Sequence, residues 1–312
     1  MKFLITGANG FIGRGLCTYL SNKNYPFVPV VRKPSDILNA LLLTDQDDFG
    51  WHQALVGCDT VIHLAGQAFA KKNDAAALLE LKQSNIEFAL VTCRRAIKAG
   101  VKRFVFLSSA KVHGEKTSAV ERFTPEDPMD PKDPYAVSKV EAEQKLQELV
   151  KDTGIELVIV RPPLVYGPGV KGNFASILTW VQKGIPLPLS AANNQRSMVG
   201  IENLSSFIAL CSDRSLSPKA ANQSFFVSDG KPLSTPEMLR QIAYAFDTKV
   251  KLFYVPLQLM RLALDFIGKS SIADRLFGSF VLDNTKSYES LGWIPPVTMV
   301  EQLQRMYFVK TD

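Results

Sequence analysis

Tyr135 and Lys139 stand one helical turn apart in the run Tyr135-Ala136-Val137-Ser138-Lys139. Pro134, just before them, suits the first turn of a helix. Residues i and i+4 share a helix face, so the ammonium of Lys139 can sit beside the phenol of Tyr135. A free phenol titrates near ~10. A neighbouring cation favours the phenolate and brings the tyrosine closer to working pH as an acid or base. The pattern recurs by chance on surface helices, and its order in the chain gives it meaning. It follows an apolar run, Phe104–Leu107, that ends in Ser108-Ser109-Ala110-Lys111. A hydroxyl at the carboxyl end of a central strand lies where open α/β sheets bind ligands. Ser108 or Ser109, together with Tyr135 and Lys139, are therefore the candidate catalytic residues.

A second constellation opens the chain. An apolar run, Lys2–Thr6, leads into Gly7-Ala8-Asn9-Gly10-Phe11-Ile12-Gly13 and then a helical pattern. Strand, glycine turn and helix make a phosphate cradle. One glycine permits the tight turn, one lets the backbone approach a pyrophosphate, and one lets helix and strand pack closely. The helix start offers free N–H groups and a positive dipole end to the anion. Nicotinamide sites for NAD usually carry an acidic residue about 20 residues further on, which holds the ribose 2′-hydroxyl. Here the second strand ends in Val30-Val31-Arg32-Lys33. A guanidinium suits a 2′-phosphate, so Arg32 predicts NADP(H), with NAD as the alternative.

These groups need a scaffold. Apolar runs at Lys2–Thr6, Phe27–Val31, Thr60–Leu64, Phe104–Leu107 and Leu157–Val160 read as strands buried on both faces. Helical patterns fall between them, near Phe11–Asn22, Lys82–Ala99 and Pro134–Thr153. The alternation predicts an α/β fold with a Rossmann-type, doubly wound parallel sheet. A further strand is placed near Asn39–Leu43. Pro29 is awkward within the second strand, because it cannot donate to a ladder. After Pro162 the texture changes to Pro, Gly and Asn punctuation. Helices follow near Glu202–Ser212, Thr235–Ala245 and Pro256–Ile267. Residues 1–165 read as the dinucleotide-binding domain, with later segments able to return to it. Residues 166–312 read mainly as a smaller α/β substrate lobe.

Composition narrows the class. The chain has 312 residues, 46% hydrophobic and 21% charged, with a net charge of +6. Those proportions belong to a globular protein. The basic residues are spread, with no Lys/Arg run longer than two, so a nucleic-acid face is not expected. Four cysteines lack CxxC spacing and three histidines lack ligand spacing, so no metal site is expected. Free thiols of this kind suit the reducing cytoplasm. The first strand begins at Lys2, which argues against a cleaved leader. The late apolar stretch Val255–Gly268 is broken by Gln258, Arg261 and Asp265 and is too short to span a membrane.

The GxxGxxG spacing resembles the short-chain dehydrogenase/reductases, and the run from Thr6 to Gly13 resembles their extended branch, the NAD-dependent epimerase/dehydratase family. The resemblance covers essentially the whole chain, from Met1 to about Val300. It implies that Gly7, Asn9, Gly10, Phe11, Ile12 and Gly13 cradle the cofactor. Leu64-Ala65-Gly66 would lie along it, and Asn85 would brace the active-site strand. Tyr135, Lys139 and Pro162 would complete its site, Pro162 leading the loop Arg161–Gly169. His63 would be a packed strand residue. The resemblance also implies a nucleoside-diphosphate sugar in the second lobe, such as a UDP-sugar. Its contacts would include Ser109, Lys111, Asn173, Arg196 and Arg275; an arginine fork suits phosphate oxygens. A homodimer is implied too, through Lys82–Ala99 and Pro134–Thr153.

Within the family, Ser108–Val112, Pro162–Phe174 and Val227–Gly230 resemble bacterial nucleotide-sugar 4-epimerases and reductases of surface-polysaccharide pathways. Some of those reduce UDP-4-keto-6-deoxy-N-acetylhexosamines to UDP-N-acetylquinovosamine. A 4,6-dehydratase is excluded, since Ala110-Lys111 stand where its Asp-Glu pair belongs. Arg32 favours the C4 ketoreductase. The alternative is a UDP-hexose 4-epimerase with tightly bound NAD. A non-catalytic dinucleotide sensor ranks lower, because such relatives lose the tyrosine or lysine that survives here. A hydroxysteroid or flavonol reductase also ranks lower, since a neutral lipid needs no diphosphate clamp such as Asn173 and Arg196 offer.

Overall fold

A computed structural model describes residues 1–68, 75–118, 121–266 and 276–308. Seven parallel strands form the main sheet, in the order β3-β2-β1-β4-β5-β6-β9. They are β1 (Phe3–Thr6), β2 (Phe27–Val31), β3 (Leu41–Leu42), β4 (Thr60–His63), β5 (Arg103–Leu107), β6 (Glu156–Arg161) and β9 (Gln223–Phe226). Alternate side chains build two cores. Leu4, Val61, Phe104, Phe106, Leu157 and Ile159 face one way, and Phe3, Ile5, Ile62, Val105, Val158 and Val160 the other. Covering both faces is what makes the central strands continuously apolar. Winding reverses between β1 and β4, which opens a crevice at their carboxyl ends.

The helices between the strands are α1 (Phe11–Asn22), α2 (Asp48–Leu55), α3 (Ala75–Lys82), α4 (Phe88–Lys98) and α5 (Pro134–Val150). Three departures from the sequence reading have local causes. The segment after β2 holds α2, capped by Asp47, which accepts from the Gly50 N–H at 2.9 Å, and anchored by buried Trp51. The span expected as one helix over Lys82–Ala99 is a π-helical turn at Gln83–Glu87 followed by α4, and α3 runs into it from Ala75. Pro29 is accommodated because its ring nitrogen faces β3, which pairs only from Val30 onward. The carbonyls set this side: Val30 accepts from Ala8 on the β1 side and Val31 from Leu43 on the other.

Past β6 the chain makes a two-stranded sheet from β7 (Leu164–Tyr166) and β8 (Met198–Gly200), with α6 (Asn173–Gln182) between them. It then returns to the main sheet through α7 (Ile201–Ser212), which packs on α1, and through β9. A third core joins Tyr166, Phe174 and Leu178 to Leu239 and Ile242 of α8 (Thr235–Ala245) and to Leu303. Three more helices, α9 (Leu257–Phe266), α10 (Thr285–Leu291) and α11 (Met299–Phe308), complete the described chain. The expected helix end at Ile267 lies outside the described residues. No helix among the described residues is long and apolar enough to cross a membrane.

Asp229 ties the second lobe together. It accepts from the Tyr166 hydroxyl at 2.6 Å, the Gly200 N–H at 2.9 Å and the Asn203 amide at 2.7 Å. Burial raises its carboxyl group's pKa, and the three donors oppose that rise.

Candidate active site

The glycine turn closes against the end of β4. A Cβ on Gly7, whose φ is +71°, would come within 2.6 Å of the Ala65 nitrogen. One on Gly13 would lie 2.2 Å from the Gly7 oxygen. One on Gly10 would meet only that same oxygen, at 3.2 Å, and Gly10 is exposed. Gly10 is also the N-cap of α1 and offers no side-chain cap, and the helix's first turn holds no acidic residue. The first N–H groups of α1 are thus set up for an anion. These residues fit the pyrophosphate of a dinucleotide. Asn9 and Phe11 lie at the turn, exposed and half-buried respectively, and Ile12 is half-buried.

The ribose end differs from the expectation. Arg32 is exposed, with its guanidinium 5.5 Å from the centre of the Phe88 ring. A carboxylate is present after all, four residues further on. Asp36 pairs with Arg14 at 2.5 and 3.1 Å, and Arg14 in turn contacts the Asn9 side chain. The Arg14 bonds pull the Asp36 carboxyl down to about 2. The spacing from the glycine turn hid it, because Lys33-Pro34-Ser35 intervene.

The π-turn positions Asn85. Its side chain is fully buried, and it accepts from the Gln67 N–H at 2.7 Å and donates to the Gln67 carbonyl at 3.0 Å. It also donates to the Ser138 hydroxyl at 2.9 Å, which donates on to the Tyr135 carbonyl at 2.7 Å. Asn85 therefore fastens the loop after β4 to the helix carrying Tyr135. π-Turns concentrate at functional sites for this kind of reason. Gly66 fits beneath, since a Cβ there would lie 2.8 Å from the Asn85 oxygen and 3.5 Å from the Lys139 nitrogen.

Ser109, Tyr135 and Lys139 meet at the carboxyl ends of β4 and β5. Ser109 caps the short 3-10 turn Ala110–His113, accepting from the Lys111 N–H at 3.3 Å. Asp133 caps α5, accepting from the Ala136 N–H at 2.7 Å. Lys111 bridges Asp133 at 2.5 Å and Glu115 at 2.9 Å, so it fastens the serine turn to the tyrosine helix. Burial pushes the Tyr135 phenol up to about 12, while a hydrogen bond from Ser109 opposes the rise. Burial pushes the Lys139 ammonium down to about 8, with Glu143 opposing. The ammonium donates to the Leu107 carbonyl at 2.8 Å and lies 4.6 Å from the centre of the Phe106 ring. Spacing alone placed it against the phenol; the fold directs it first to the strand end. Ser108 is buried at the same strand end, and its hydroxyl oxygen has no hydrogen-bond partner in the structure. Pro162 is buried, and its carbonyl accepts from the Ala110 N–H at 2.9 Å.

Asn173 is the exposed first residue of α6. Arg196 is half-buried, bridges Leu233 and Phe280 through its backbone, and donates to the Gly278 carbonyl at 3.0 Å. Arg275 lies outside the described residues.

His63 is wholly buried, 3.0 Å from the Thr6 hydroxyl and stacked near Phe88, Phe104 and Phe106. Burial, Lys139 and Arg32 push its pKa down to about 3, so the ring is neutral. Its folded value lies below the unfolded ~6.5, so its contribution to stability is complete above that pH. It is lost as pH falls toward 3, by up to about 1.4 kcal/mol per pH unit. Thermal melts of His63→Phe between pH 6.5 and 4 should fall less steeply than those of the unsubstituted protein. Parallel slopes would show that His63 is not the acid-sensitive group.

The parallel sheet, glycine turn and Ser-Tyr-Lys edge define an extended short-chain dehydrogenase/reductase. Residues 3–215 match the NAD dependent epimerase/dehydratase family, and the chain belongs to it. It is an enzyme of that family, whose relatives here are nucleotide-sugar epimerases and reductases. It is 42% identical to a UDP-glucose 4-epimerase of Vibrio cholerae over 96% of this chain and 92% of that one. It is 25% identical to an N-acetyl-alpha-D-glucosaminyl-diphospho-ditrans,octacis-undecaprenol 4-epimerase of Escherichia coli O157:H7, over 97% and 93%. Its fold matches that of the Thermotoga maritima UDP-glucose 4-epimerase solved with UDP-glucose. The TM-score is 0.76 at 22% identity, over 100% of this chain and 99% of that one.

Proposed function

We propose that the chain is a UDP-hexose 4-epimerase working with resident NAD. The observation that carries this reading is the Ser109-Tyr135-Lys139 edge, joined to the glycine turn by the loop after β4, where Gly7 packs on Ala65 and Gly66 lies beside Lys139. Near-full-length similarity to the Vibrio cholerae enzyme supports the substrate. The ketoreductase favoured by Arg32 gives way, because that arginine packs on Phe88 while Asp36 supplies a carboxylate near the turn. Gly7, Gly10 and Gly13 would hold the pyrophosphate, and Asp36 the adenine-side ribose.

Bound NAD supplies an acceptor and later a donor of hydride at C4 of the sugar. Tyr135 would take the C4 hydroxyl proton during oxidation, hold it on the phenol oxygen, and return it to the C4 oxygen during reduction. Ser109 hydrogen-bonds the C4 oxygen and holds it in reach of the phenol. The positive charge of Lys139 favours the phenolate. Asn173, Arg196 and Arg275 of the second lobe would bind the diphosphate, and Lys111 would border the sugar.

The purified protein should release NAD on acid denaturation and interconvert UDP-glucose and UDP-galactose without added cofactor. Reduction of a UDP-4-keto-sugar with one NADPH consumed per sugar would instead establish the reductase.

A further inference from the structure

Below the catalytic lysine runs a chain of buried polar groups. Glu143 follows Lys139 by one turn of α5 and is wholly buried. Arg161, at the end of β6, grips both its oxygens, Nε at 3.1 Å and Nη2 at 2.6 Å. Both side chains are almost completely buried, at 2% and 0% exposure. The remaining Arg161 nitrogen, Nη1, reaches the Pro125 carbonyl at 2.7 Å and His113 Nε2 at 2.9 Å. An arginine only donates, so His113 Nε2 is the acceptor and the ring is neutral, with its proton on Nδ1 toward the Pro128 carbonyl at 3.4 Å. Burial, and then Arg161, lower the histidine's pKa, in keeping with that form. His113 closes the 3-10 turn that Ser109 opens.

The chain therefore joins the two carriers of the three catalytic groups, the serine turn and the tyrosine–lysine helix, through the neighbouring strand end. A buried pair of this kind is weak evidence for stability, since its desolvation cost rivals its attraction. Position and local charge are what it supplies. We propose that Glu143 and Arg161 are positioning residues for the epimerisation, fixing the Ser109 turn against α5 and keeping a carboxylate under Lys139 so that the lysine stays protonated. The proposal rests on the epimerase reading for its kinetic arm only.

The groups facing Lys139 are few. Among the described residues, Glu143 comes from its own helix, neutral His63 from β4 and Asn85 from the π-turn, while β5 supplies the Leu107 carbonyl and the Phe106 ring. Arg161 faces Glu143 from β6. Of the carboxylates, Glu143 is the one that supports the ammonium. With burial holding Lys139 near about 8, loss of that charge lowers the lysine further.

Two variants of the full-length holoenzyme separate position from charge. Glu143→Gln keeps the shape and removes the charge. Its alkaline limb of kcat against pH should move down by about one unit, with a roughly fivefold fall in kcat at pH 8 and an unchanged KM. Arg161→Lys keeps the charge and loses the fork, so kcat should fall while the limb stays in place. The Lys139 side-chain carbon signal, from protein carrying 13C-lysine and assigned with Lys139→Arg, should titrate lower in Glu143→Gln without any substrate. That reading stands even if the sugar assignment fails. If Glu143→Gln does not fold, His113→Phe carries the test: it frees only the far end of the chain and should lower kcat at constant KM. An unmoved lysine titration in Glu143→Gln, or full kcat in both Arg161→Lys and His113→Phe, overturns the proposal.

Discussion

Tyr135→Phe should lower the epimerisation rate by about 10²- to 10⁴-fold, the range that one positioned general acid–base group supplies. The substitution removes one oxygen and keeps the ring. Ser109 remains, but its hydroxyl cannot accept a proton near neutral pH, so the C4 proton has no other acceptor among the three residues. The phenol sits high, at about 12, because burial dominates and the Ser109 bond only partly opposes it. In the proposed mechanism the positive charge of Lys139 is what would bring it toward working pH. Stability should change little, by about the 0.5–1.5 kcal/mol of one hydrogen bond. The resident nucleotide should be retained, since the glycine turn and Asn85 are untouched. Steady-state rates, nucleotide content and a thermal melt on the same preparation decide it. A rate within threefold of the unsubstituted protein would remove Tyr135 from the chemistry.

The sequence disclosed those groups unevenly. Residues 3–6, 60–63 and 103–107 are buried on both faces, so their apolar runs announced strands without ambiguity. Gly7 and Gly13 were legible because only a missing Cβ allows contacts of 2.2–2.6 Å to backbone. The direction of Lys139 was not legible. Helical spacing says which face it shares with Tyr135, but the Leu107 carbonyl that receives it comes from another element. The pairing of Glu143 with Arg161 was not legible, because 18 residues separate two groups that the packing of α5 on β6 brings together. Asp36 was missed for a simpler reason. The expected spacing assumes a carboxylate at the strand end, whereas here Arg14 draws one in from the following loop.

Gly13→Ala should purify with little or no NAD and with a clearly lower melting temperature. Its backbone is helical, so alanine would ordinarily gain up to about 1 kcal/mol there. Space reverses the sign. The new methyl would stand 2.2 Å from the Gly7 oxygen and 2.7 Å from Ala8 Cα, and these are backbone atoms that no rotamer can move. Relief requires the turn to lift away from α1, which displaces the N–H groups that would hold the pyrophosphate. Overpacking of this kind costs about 1–3 kcal/mol or more. Two other glycines calibrate the result. At Gly15 the methyl would meet the flexible Ile201 side chain, 2.4 Å from Cγ1, so Gly15→Ala should be milder and keep its nucleotide. At Gly57 the φ is +69° but nothing lies within 4 Å. Gly57→Ala should therefore show only backbone strain, about 1–2 kcal/mol, with full NAD content. If Gly13→Ala carried as much nucleotide as Gly57→Ala, the turn would not be the cofactor's cradle, and the resident-NAD reading would lose its structural basis.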